Sequence, residues 1–242
     1  IIHALAGGNI MPENLSTCDD TAVIARAFKD NPYEIDIMAA GTAMRFMTAY
    51  LSVTEGEHVL TGTERMKQRP IKILVDALRS LGADIQYVGE EGFPPLRIKG
   101  KRLTGGSIEV AGNVSSQYVS ALLMIGPTLE KGLELKLLGN VISRPYIDLT
   151  LNVMHEYGAD AEWTDIDTIT IRPKRYEERS YTIENDWTSA SYWYAILTLL
   201  NDRKSYIRFT GLKNGSRQGD SAIKYIFSLL GVKTCFADKE MD

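Results

Sequence analysis

The sequence is poor in cysteine and has no long hydrophobic run. Its only two cysteines, Cys18 and Cys235, lack the spacing of metal ligands or of a redox pair, which is typical of a reducing compartment. No apolar run reaches the roughly 18 residues that a membrane-spanning helix needs. These absences predict a cytoplasmic protein that does not bind to or cross a membrane.

Short catalytic motifs are also missing. There is no G-x-G-x-x-G stretch, no P-loop and no nucleophile elbow. His3, His58 and His155 lack metal-ligand spacing, and we interpret them as structural residues, with His58 in a loop. No metal site is therefore expected.

Size and charge bound the remaining possibilities. The 242 residues are 44% hydrophobic and 24% charged, which is ordinary for one large or two small globular domains. The formal net charge of −4 argues against a nucleic-acid partner. Any positive charge that matters for binding must therefore be local.

Three short stretches combine small residues with groups that bind anions. They are 40–45 (AGTAMR), 61–70 (TGTERMKQRP) and 115–118 (SSQY). A helix that starts at small residues leaves backbone N–H groups open, and its dipole favours negative charge there. Arginine adds a fork of donors that matches carboxylate and phosphate. Three such stretches indicate a substrate with several separate negative charges.

The chain repeats itself about every 75 residues. An amphipathic helix that ends near a Leu-Gly or Tyr-Gly pair and leads into a strand recurs at 71–85, 146–161 and 222–234, with its glycines 76 and 73 residues apart. A small, hydroxyl-rich helix start recurs in step at Thr42, Ser116 and Ser189. A shortened earlier copy is centred on 19–28. With strand-like runs such as 59–61, 96–98 and 107–110, this predicts an α/β (α+β) fold of three βαβαββ units.

A polar stretch at 173–186 separates the second unit from the third. We predict a domain boundary there, with a first domain at 1–180 and a second at 181–242.

Each anion-binding motif has an ordinary structural alternative. Ser115 and Ser116 could simply cap a helix, or they could form a phosphate cradle with Gln117. The bases Arg65, Lys67 and Arg69 could be solvated, but at a helix start they oppose the helix dipole unless an anion is bound.

Arg45, within an apolar helix, is either a surface or ion-paired side chain or part of the site. Asp186, which opens the equivalent helix of the third unit, is its candidate partner.

Together these motifs resemble the enolpyruvyl transferases, and most closely the branch that acts on shikimate 3-phosphate. The matching segments run nearly end to end: 40–45, 60–70, 94–97, 115–124, 143–151, 186–193 and 218–220. The resemblance implies two domains, each of three βαβαββ units packed as an inside-out α/β barrel, with the active site between them. This chain would then hold most of the first domain, without its N-terminal strand and lysine-containing loop, and the first unit of the second.

The resemblance also implies the reaction. The enolpyruvyl group of phosphoenolpyruvate is transferred to the 5-hydroxyl of shikimate 3-phosphate and phosphate is released, in a step of aromatic amino-acid biosynthesis. No cofactor is implied, and a monomer is expected. The catalytic acid and base residues would follow Asp242, and a lysine-bearing stretch would precede Ile1, so this chain alone is expected to be inactive.

The resemblance also implies the site residues, at the positions where a motif of this sequence matches one of the family. Ser115, Ser116 and Ser143 would hold the phosphate of shikimate 3-phosphate, with Tyr146 against its ring. Gln117 would lie between the two substrates. Gly41 and Arg65 would bind phosphoenolpyruvate, and Arg45, Arg69 and Asp186 would support the site.

Two positions depart from the family pattern, which usually has asparagine at Ala39 and often proline at Phe46.

Three alternatives remain beside the main interpretation: a UDP-N-acetylglucosamine enolpyruvyl transferase, a non-catalytic anion-binding protein of the same fold, and an RNA 3′-phosphate cyclase-like protein. The first normally has a cysteine in the loop between Leu60 and Pro70, where this chain has none. The net negative charge of the chain disfavours the RNA 3′-phosphate cyclase-like protein.

Overall fold

The computed structural model describes residues 1–8, 11–202 and 204–237. The chain divides into two compact units, Ile1–Tyr181 and Thr182–Asp242. Within the described residues, no helix is both long enough and apolar enough to cross a membrane.

Helices and strands alternate through the first unit. Its α-helices are α1 (Ile2–Leu5), α2 (Asp19–Asp30), α3 (Gly41–Val53), α4 (Glu64–Lys67), α5 (Lys72–Ser80), α6 (Ser116–Ile125) and α7 (Arg144–Glu156). Its strands are β1 (Glu34–Asp36), β2 (Gly56–Thr61), β3 (Asp84–Tyr87), β4 (Leu96–Gly100), β5 (Gly106–Ala111), β6 (Leu133–Leu138), β7 (Ala161–Trp163) and β8 (Thr168–Ile171). The second unit contains α8 (Trp187–Leu200) and α9 (Ile223–Ser228).

The first two copies of the repeat have the same topology. Each forms a four-stranded sheet, in the order β1-β2-β4-β3 and β5-β6-β8-β7. The first two strands of each copy are parallel, with Ile35 opposite Leu60 in one sheet and Ile108 opposite Leu135 in the other. The fourth strand lies antiparallel between the second and third. The predicted βαβαββ unit is therefore confirmed for both copies.

The sheets lie outside and the first helix of each copy lies inside. Along β6 the residues alternate strictly between buried and exposed, which is the pattern of a sheet with one solvated face. By contrast, every residue of α6 from Tyr118 to Ile125 is buried, and α3 is buried over most of its surface. A helix that is apolar all round belongs in an interior, and here α6 packs against α3, α5 and α7. This arrangement brings the N-termini of the interior helices into one region.

The helices with the Leu-Gly or Tyr-Gly ending stop where the sequence predicts. Gly82, Gly158 and Gly231 follow α5, α7 and α9 and have φ values of +101°, +81° and +90°. Glycine adopts this left-handed conformation without the steric cost that a Cβ imposes, so the chain can turn sharply toward the next strand.

The third copy departs from the prediction. Its helices α8 and α9 occupy the repeat positions, but the described part of residues 182–237 contains no strand. A single backbone hydrogen bond, from the Asn185 N–H to the Gly211 carbonyl at 2.9 Å, lies where the first two copies have their pair of parallel strands. In the first two copies the fourth strand is bonded to both the second and the third, and its counterpart here would fall near residue 241, outside the described residues.

The second unit has a small core of its own. Trp187, Ala190 and Tyr194 are buried, and Phe209 and Phe227 pack against them. Much of the remaining apolar surface of α8 and α9 is exposed, at Tyr192, Trp193, Ile196, Leu199, Leu200, Tyr225, Ile226, Leu229 and Leu230.

The structure also corrects two local predictions. His58 does not lie in a loop: it is buried in β2, where its Nδ1 is 2.8 Å from the Pro32 carbonyl. The stretch 61–70 is not a plain loop either, since it contains the short helix α4. Thr63 caps this helix by accepting the Met66 N–H.

Candidate anion-binding site

The N-terminus of α3 is the first of the predicted sites. The helix begins at Gly41, and its capping residue Ala40 offers no side-chain acceptor. A Cβ at Gly41 would lie 2.5 Å from Nη1 of Arg69, so the guanidinium already fills the space that a side chain would take. The next N–H, of Thr42, donates to the Asp20 carboxylate at 3.1 Å. Glycine therefore lets an arginine approach a helix start whose second N–H is already satisfied by the protein.

The N-terminus of α6 lies beside it. Ser115 caps this helix, and its Oγ accepts the Gln117 N–H at 3.3 Å, so the capping interpretation holds for Ser115. The Ser116 hydroxyl has no hydrogen-bond partner in the described ranges. Gln117 donates through Nε2 to the Thr42 hydroxyl at 3.0 Å, a contact across 75 residues. This hydrogen bond joins the two helix starts.

The basic stretch 65–69 does not act as a uniform cluster. Lys67 pairs with Glu64 at 2.8 Å, and this hydrogen bond together with the Glu64 charge raises the pKa of Lys67. Neither Arg65 nor Arg69 has a carboxylate partner among the residues that the structure describes. Both arginines are exposed, and the Arg69 guanidinium lies against Gly41. Arg69 therefore lies next to the N-terminus of α3, and these contacts do not test the expected roles of the two arginines.

Arg45 is a buried cation, not a surface side chain. Its side chain has only 5% exposure, and Nη1 donates to the Gly41 carbonyl at 2.9 Å. The guanidinium carbon lies 5.7 Å from the centre of the Tyr118 ring, and Nε has no hydrogen-bond partner in the described part of the chain. Tyr118 in turn donates its hydroxyl to the Pro70 carbonyl at 2.7 Å. Arg45 and Tyr118 thus lie between α3, α6 and the end of the basic stretch.

Ser143 and Tyr146 stand at the start of the third helix of this region, α7. Ser143 occupies the capping position without a side-chain capping bond, and Tyr146 is 55% exposed. The helices α6 and α7 are joined one turn further on, by the hydroxyls of Ser120 and Thr150 at 2.7 Å. Within the described residues, no hydrogen bond connects the Ser143 or Tyr146 side chain to the α3 and α6 starts. Their part in a common site remains a prediction.

Asp186 belongs to the second unit and caps α8. Its carboxylate accepts the N–H groups of Thr188 and Ser189, both at 3.0 Å, and the Ser189 hydroxyl at 2.6 Å. Partial burial alone would raise the pKa of Asp186, but these hydrogen bonds outweigh that effect and lower it. Its predicted partnership with Arg45 is not tested by these contacts.

Sequence reasoning missed three residues of this region as site residues: Asp20, Thr42 and Tyr118. Thr42 and Tyr118 stand inside the recognised motifs, so their position was a signal, although their partners were not. Asp20 reaches the site from a different helix, and only its place in an acidic helix start marks it in the sequence.

A separate cavity of about 570 Å³ lies at the opposite end of the interior helices. It is lined near the C-terminal ends of α3 and α6 by residues that include Val53, Pro127 and Tyr176. Its lining carries charges of both signs, with Arg102, Lys174 and Arg175 beside Glu55 and Glu130.

Comparison with known proteins is consistent with this geometry. A family model described as EPSP synthase (3-phosphoshikimate 1-carboxyvinyltransferase) matches residues 3–240. The 3-phosphoshikimate 1-carboxyvinyltransferase of Bacteroides fragilis is 56% identical over 98% of this chain, and that of Histophilus somni is 38% identical over 93%. The chain spans 58% and 54% of the lengths of these two relatives.

Among solved structures, the EPSP synthase of Acinetobacter baumannii has the same fold. The TM-score is 0.67 at 21% sequence identity, over 80% of this chain and 49% of that one. This likeness confirms the predicted α/β fold class.

Proposed function

Because this chain belongs to the EPSP synthase family, we propose that the complete protein transfers the enolpyruvyl group of phosphoenolpyruvate to the 5-hydroxyl of shikimate 3-phosphate. The shikimate hydroxyl gives up its proton as it attacks the enol carbon, and the methylene carbon takes up a proton to become a methyl group. Phosphate then leaves from the tetrahedral intermediate as the methyl group loses a proton and the enol double bond forms again. The protein is then a transferase of aromatic amino-acid biosynthesis. Its two small-molecule substrates are its partners, and it acts as a monomer in the cytoplasm.

One observation carries this proposal: two helix N-termini are joined by the Gln117–Thr42 hydrogen bond, with the Arg69 guanidinium against one of them. The two substrates together carry two phosphates and two carboxylates. Bringing them together costs electrostatic energy that arginine and helix N–H groups offset. Holding both substrates in one geometry supplies much of the remaining acceleration.

The two helix starts divide the substrates between them. In our proposal Ser115, Ser116 and Ser143 hold the phosphate of shikimate 3-phosphate, and Tyr146 lies against its ring. Within the described part of the chain, the hydroxyls of Ser116 and Ser143 have no hydrogen-bond partner and can donate to this phosphate. Phosphoenolpyruvate binds at Gly41 and Arg65, and Arg69 supports this side from its position against Gly41.

Gln117 joins the two sites through its hydrogen bond to Thr42. In the proposed geometry this places its amide between the substrates. Arg45 supports the phosphoenolpyruvate side through the Gly41 carbonyl, and Asp186 acts from the second unit.

The proposal assigns only part of the reaction to this chain. Its first unit corresponds to most of one domain, and its second unit to the first βαβαββ unit of another. The acid and base residues lie in the length of the relatives that this chain does not span. The chain by itself is therefore expected to bind substrate phosphate but not to turn it over.

No observation favours the alternatives. Cys18 lies before α2 and Cys235 lies in the second unit, both outside the 61–70 stretch, and the matching family model is not that of the UDP-N-acetylglucosamine enzyme. A non-catalytic anion-binding protein would keep the same helix starts, and it differs from our proposal only in lacking turnover.

Calorimetric titration of this chain with shikimate 3-phosphate tests the proposal, with UDP-N-acetylglucosamine as the control ligand. We expect heat from the first ligand alone, and we expect a Ser115→Ala/Ser116→Ala variant to lose it. Heat from the control ligand alone would contradict the proposed substrate. Turnover by the complete protein separates the enzyme from a non-catalytic relative: no phosphate release from the two substrates would refute the activity.

A further inference from the structure

We propose that Trp163 is a positioning residue for shikimate 3-phosphate, because it holds the first turn of α7, with Ser143 and Tyr146, against the hairpin of β7 and β8. The inference rests on the proposed function and deepens it: the place of the α7 start matters only if the phosphate and the ring of that substrate bind there. Trp163 acts through α7 and not through a substrate contact of its own.

Two contacts tie Trp163 to the start of α7. The guanidinium carbon of Arg144 lies 3.9 Å from the centre of the Trp163 ring, a distance typical of a cation–π stack. One turn later, the Asp148 carboxylate accepts the indole Nε1–H at 2.8 Å. Arg144 and Asp148 are four residues apart and so lie on one face of the helix. The indole therefore spans the first turn of α7.

The hairpin gives Trp163 a fixed base. Trp163 ends β7, which is paired with β8 in an antiparallel ladder. At the hairpin turn, Arg144 donates from Nη1 to the Ile166 carbonyl at 3.1 Å. The next carbonyl, that of Asp167, accepts the N–H of Leu137 in β6 at 2.7 Å. The same hairpin thus holds Arg144 at two points and is itself bonded to the sheet.

The start of α7 has little support of its own. Ser143 occupies the capping position without a side-chain capping bond. Arg144 is the first residue of the helix, where a positive charge opposes the helix dipole. The stack on Trp163 directs this charge to the hairpin. Arg144 is thereby a structural contact, and Ser143 remains the donor that faces a ligand in the proposed function.

The loop that leads into α7 also packs against the loop that leads into α6. The Gly112 N–H donates to the Leu138 carbonyl at 2.7 Å, and a Cβ at Gly112 would lie 3.2 Å from the Asn140 carbonyl oxygen. Gly112 stands just before Ser115, the cap of α6. The α7 start is therefore held by the α6 loop on one side and by Trp163 on the other. Both supports set the separation of Ser143 from the α6 serines, which a phosphate bound by all of them requires.

The first copy of the repeat contains an equivalent aromatic residue that contacts the other end of its helix. Tyr87 ends β3 and follows Gly82 at the same distance in sequence as Trp163 follows Gly158. The guanidinium carbon of Arg79 lies 5.0 Å from the centre of the Tyr87 ring, but Arg79 is in the last turn of α5. Both aromatic side chains are half-buried. Tyr87 is therefore a matched position without a link to a helix start.

Steady-state kinetics of the complete protein carrying Trp163→Leu tests the inference. We expect the KM for shikimate 3-phosphate to rise roughly three- to tenfold, the range for one hydrogen bond and one cation–π contact, with the KM for phosphoenolpyruvate unchanged. Trp163→Phe keeps a ring for Arg144 and loses the indole N–H, so it should give a smaller rise. Tyr87→Leu is the matched control and should leave both KM values unchanged. Urea unfolding measures the stability that each variant loses.

Variants of Arg144 separate positioning from direct attraction of the phosphate. Arg144→Lys keeps the positive charge but loses the planar stack and the fixed donor geometry of the guanidinium. If Arg144 acts by stacking on Trp163, Arg144→Lys should raise the KM for shikimate 3-phosphate about as much as Arg144→Ala does. A lysine variant with the wild-type KM beside an impaired alanine variant would show that the charge acts directly, and it would overturn the positioning role.

A double-mutant cycle with Ser143→Ala tests whether Trp163 acts through the proposed phosphate contact. The rise in KM caused by Trp163→Leu should be smaller in the Ser143→Ala background, because one of the groups that Trp163 positions is then absent.

The outcomes distinguish a failure of the inference from a failure of the proposed function. Equal effects of Trp163→Leu and Tyr87→Leu, equal rises in KM for both substrates, or an undiminished effect in the Ser143→Ala background would overturn the role of Trp163 and leave the proposed function intact. A complete wild-type protein that does not turn over the two substrates would overturn the proposed function. Ser143→Ala with an unchanged KM for shikimate 3-phosphate would overturn the proposed part of Ser143 and the inference with it.

Discussion

At the scale of single residues, the candidate site is defined by which charges are already paired. Lys67 is neutralised by Glu64, and Asp20 occupies the N–H of Thr42. Arg69 has no such partner within the described residues and lies against the helix start. Anion binding here therefore depends more on the position of Arg69 than on how many basic residues the stretch contains.

Replacing Arg69 with alanine should weaken phosphoenolpyruvate binding by roughly ten- to a hundredfold, because hydrogen bonds to charged groups contribute about 1.5–3 kcal/mol. The measurement is the KM for phosphoenolpyruvate in the complete protein. Lys67→Ala is the control, since it removes the same charge from a side chain already paired with Glu64. An equal effect of both variants would show that net charge, and not position, governs binding.

Asp20 should matter for stability as well as for the site. Its carboxylate satisfies a free N–H at the start of α3, a contribution of about 1 kcal/mol for capping groups. Asp20→Ala should lower the free energy of unfolding by about that amount in a urea titration. Asp19→Ala removes the same charge from the same turn of α2 without a contact to α3, so it should cost clearly less. Equal losses would mean that the charge acts only within α2.

At the scale of elements, helix starts carry both structure and chemistry. The N-termini of α3 and α6 are joined by the hydrogen bond between Gln117 and Thr42. Helix α8 begins at the equivalent position of the third copy of the repeat. The repeat thus supplies three similar helix starts, which differ in what caps them: a carboxylate from another helix, a serine, or an aspartate in the capping position. The capping group decides which N–H donors stay open for a ligand.

The cap of α8 makes its stability depend on pH. The pKa of Asp186 is lowered in the folded chain, so the stabilisation is present above its unfolded pKa of about 4 and is lost as pH falls through the folded value. Asp186→Ala should reduce amide-exchange protection of α8 at neutral pH, by about 1 kcal/mol. Asp186→Asn keeps a capping acceptor, so it should retain most of the protection and lose the acid dependence. A wild-type α8 with unchanged protection down to pH 3 would contradict this.

At the scale of the whole molecule, the two units differ in how much apolar surface they bury. The first unit has an extended core between its two sheets and its interior helices. Among the described residues of the second unit, the buried core consists of Trp187, Ala190 and Tyr194. Large side chains such as Trp193 and Leu199 remain exposed on α8. A small core leaves less free energy to oppose local opening.

We therefore expect residues from 187 onward to exchange their amide hydrogens faster than residues 40–170. Hydrogen exchange followed by mass spectrometry measures this directly on the chain described here. The interior helix α6 serves as an internal reference, because it is buried from Tyr118 to Ile125. Equal or greater protection from residue 187 onward would refute the expectation.

The sequence by itself determined the repeat and its local structure. Apolar spacing, the glycines at helix ends and the hydroxyl-rich helix starts are short-range signals, and they placed α5, α6 and α7 and the glycine turns at Gly82 and Gly158. Such signals depend on contacts within a few residues, so the chain shows them without its fold. They did not place the strands of the third copy, of which the described part contains none, because strand pairing depends on segments that are distant in the sequence.

Only the tertiary structure decided which members of each motif work together. The contacts of Asp20 with Thr42, of Tyr118 with Pro70 and of Gln117 with Thr42 span 22, 48 and 75 residues. The approach of Arg69 to the start of α3 depends on the space that Gly41 leaves, and the neutralisation of Lys67 depends on the turn formed by α4. The sequence shows which charged and hydroxyl-bearing residues are present. Which of them pair is set by their distances in space, and the packing of α3 against α6 brings them within hydrogen-bond reach.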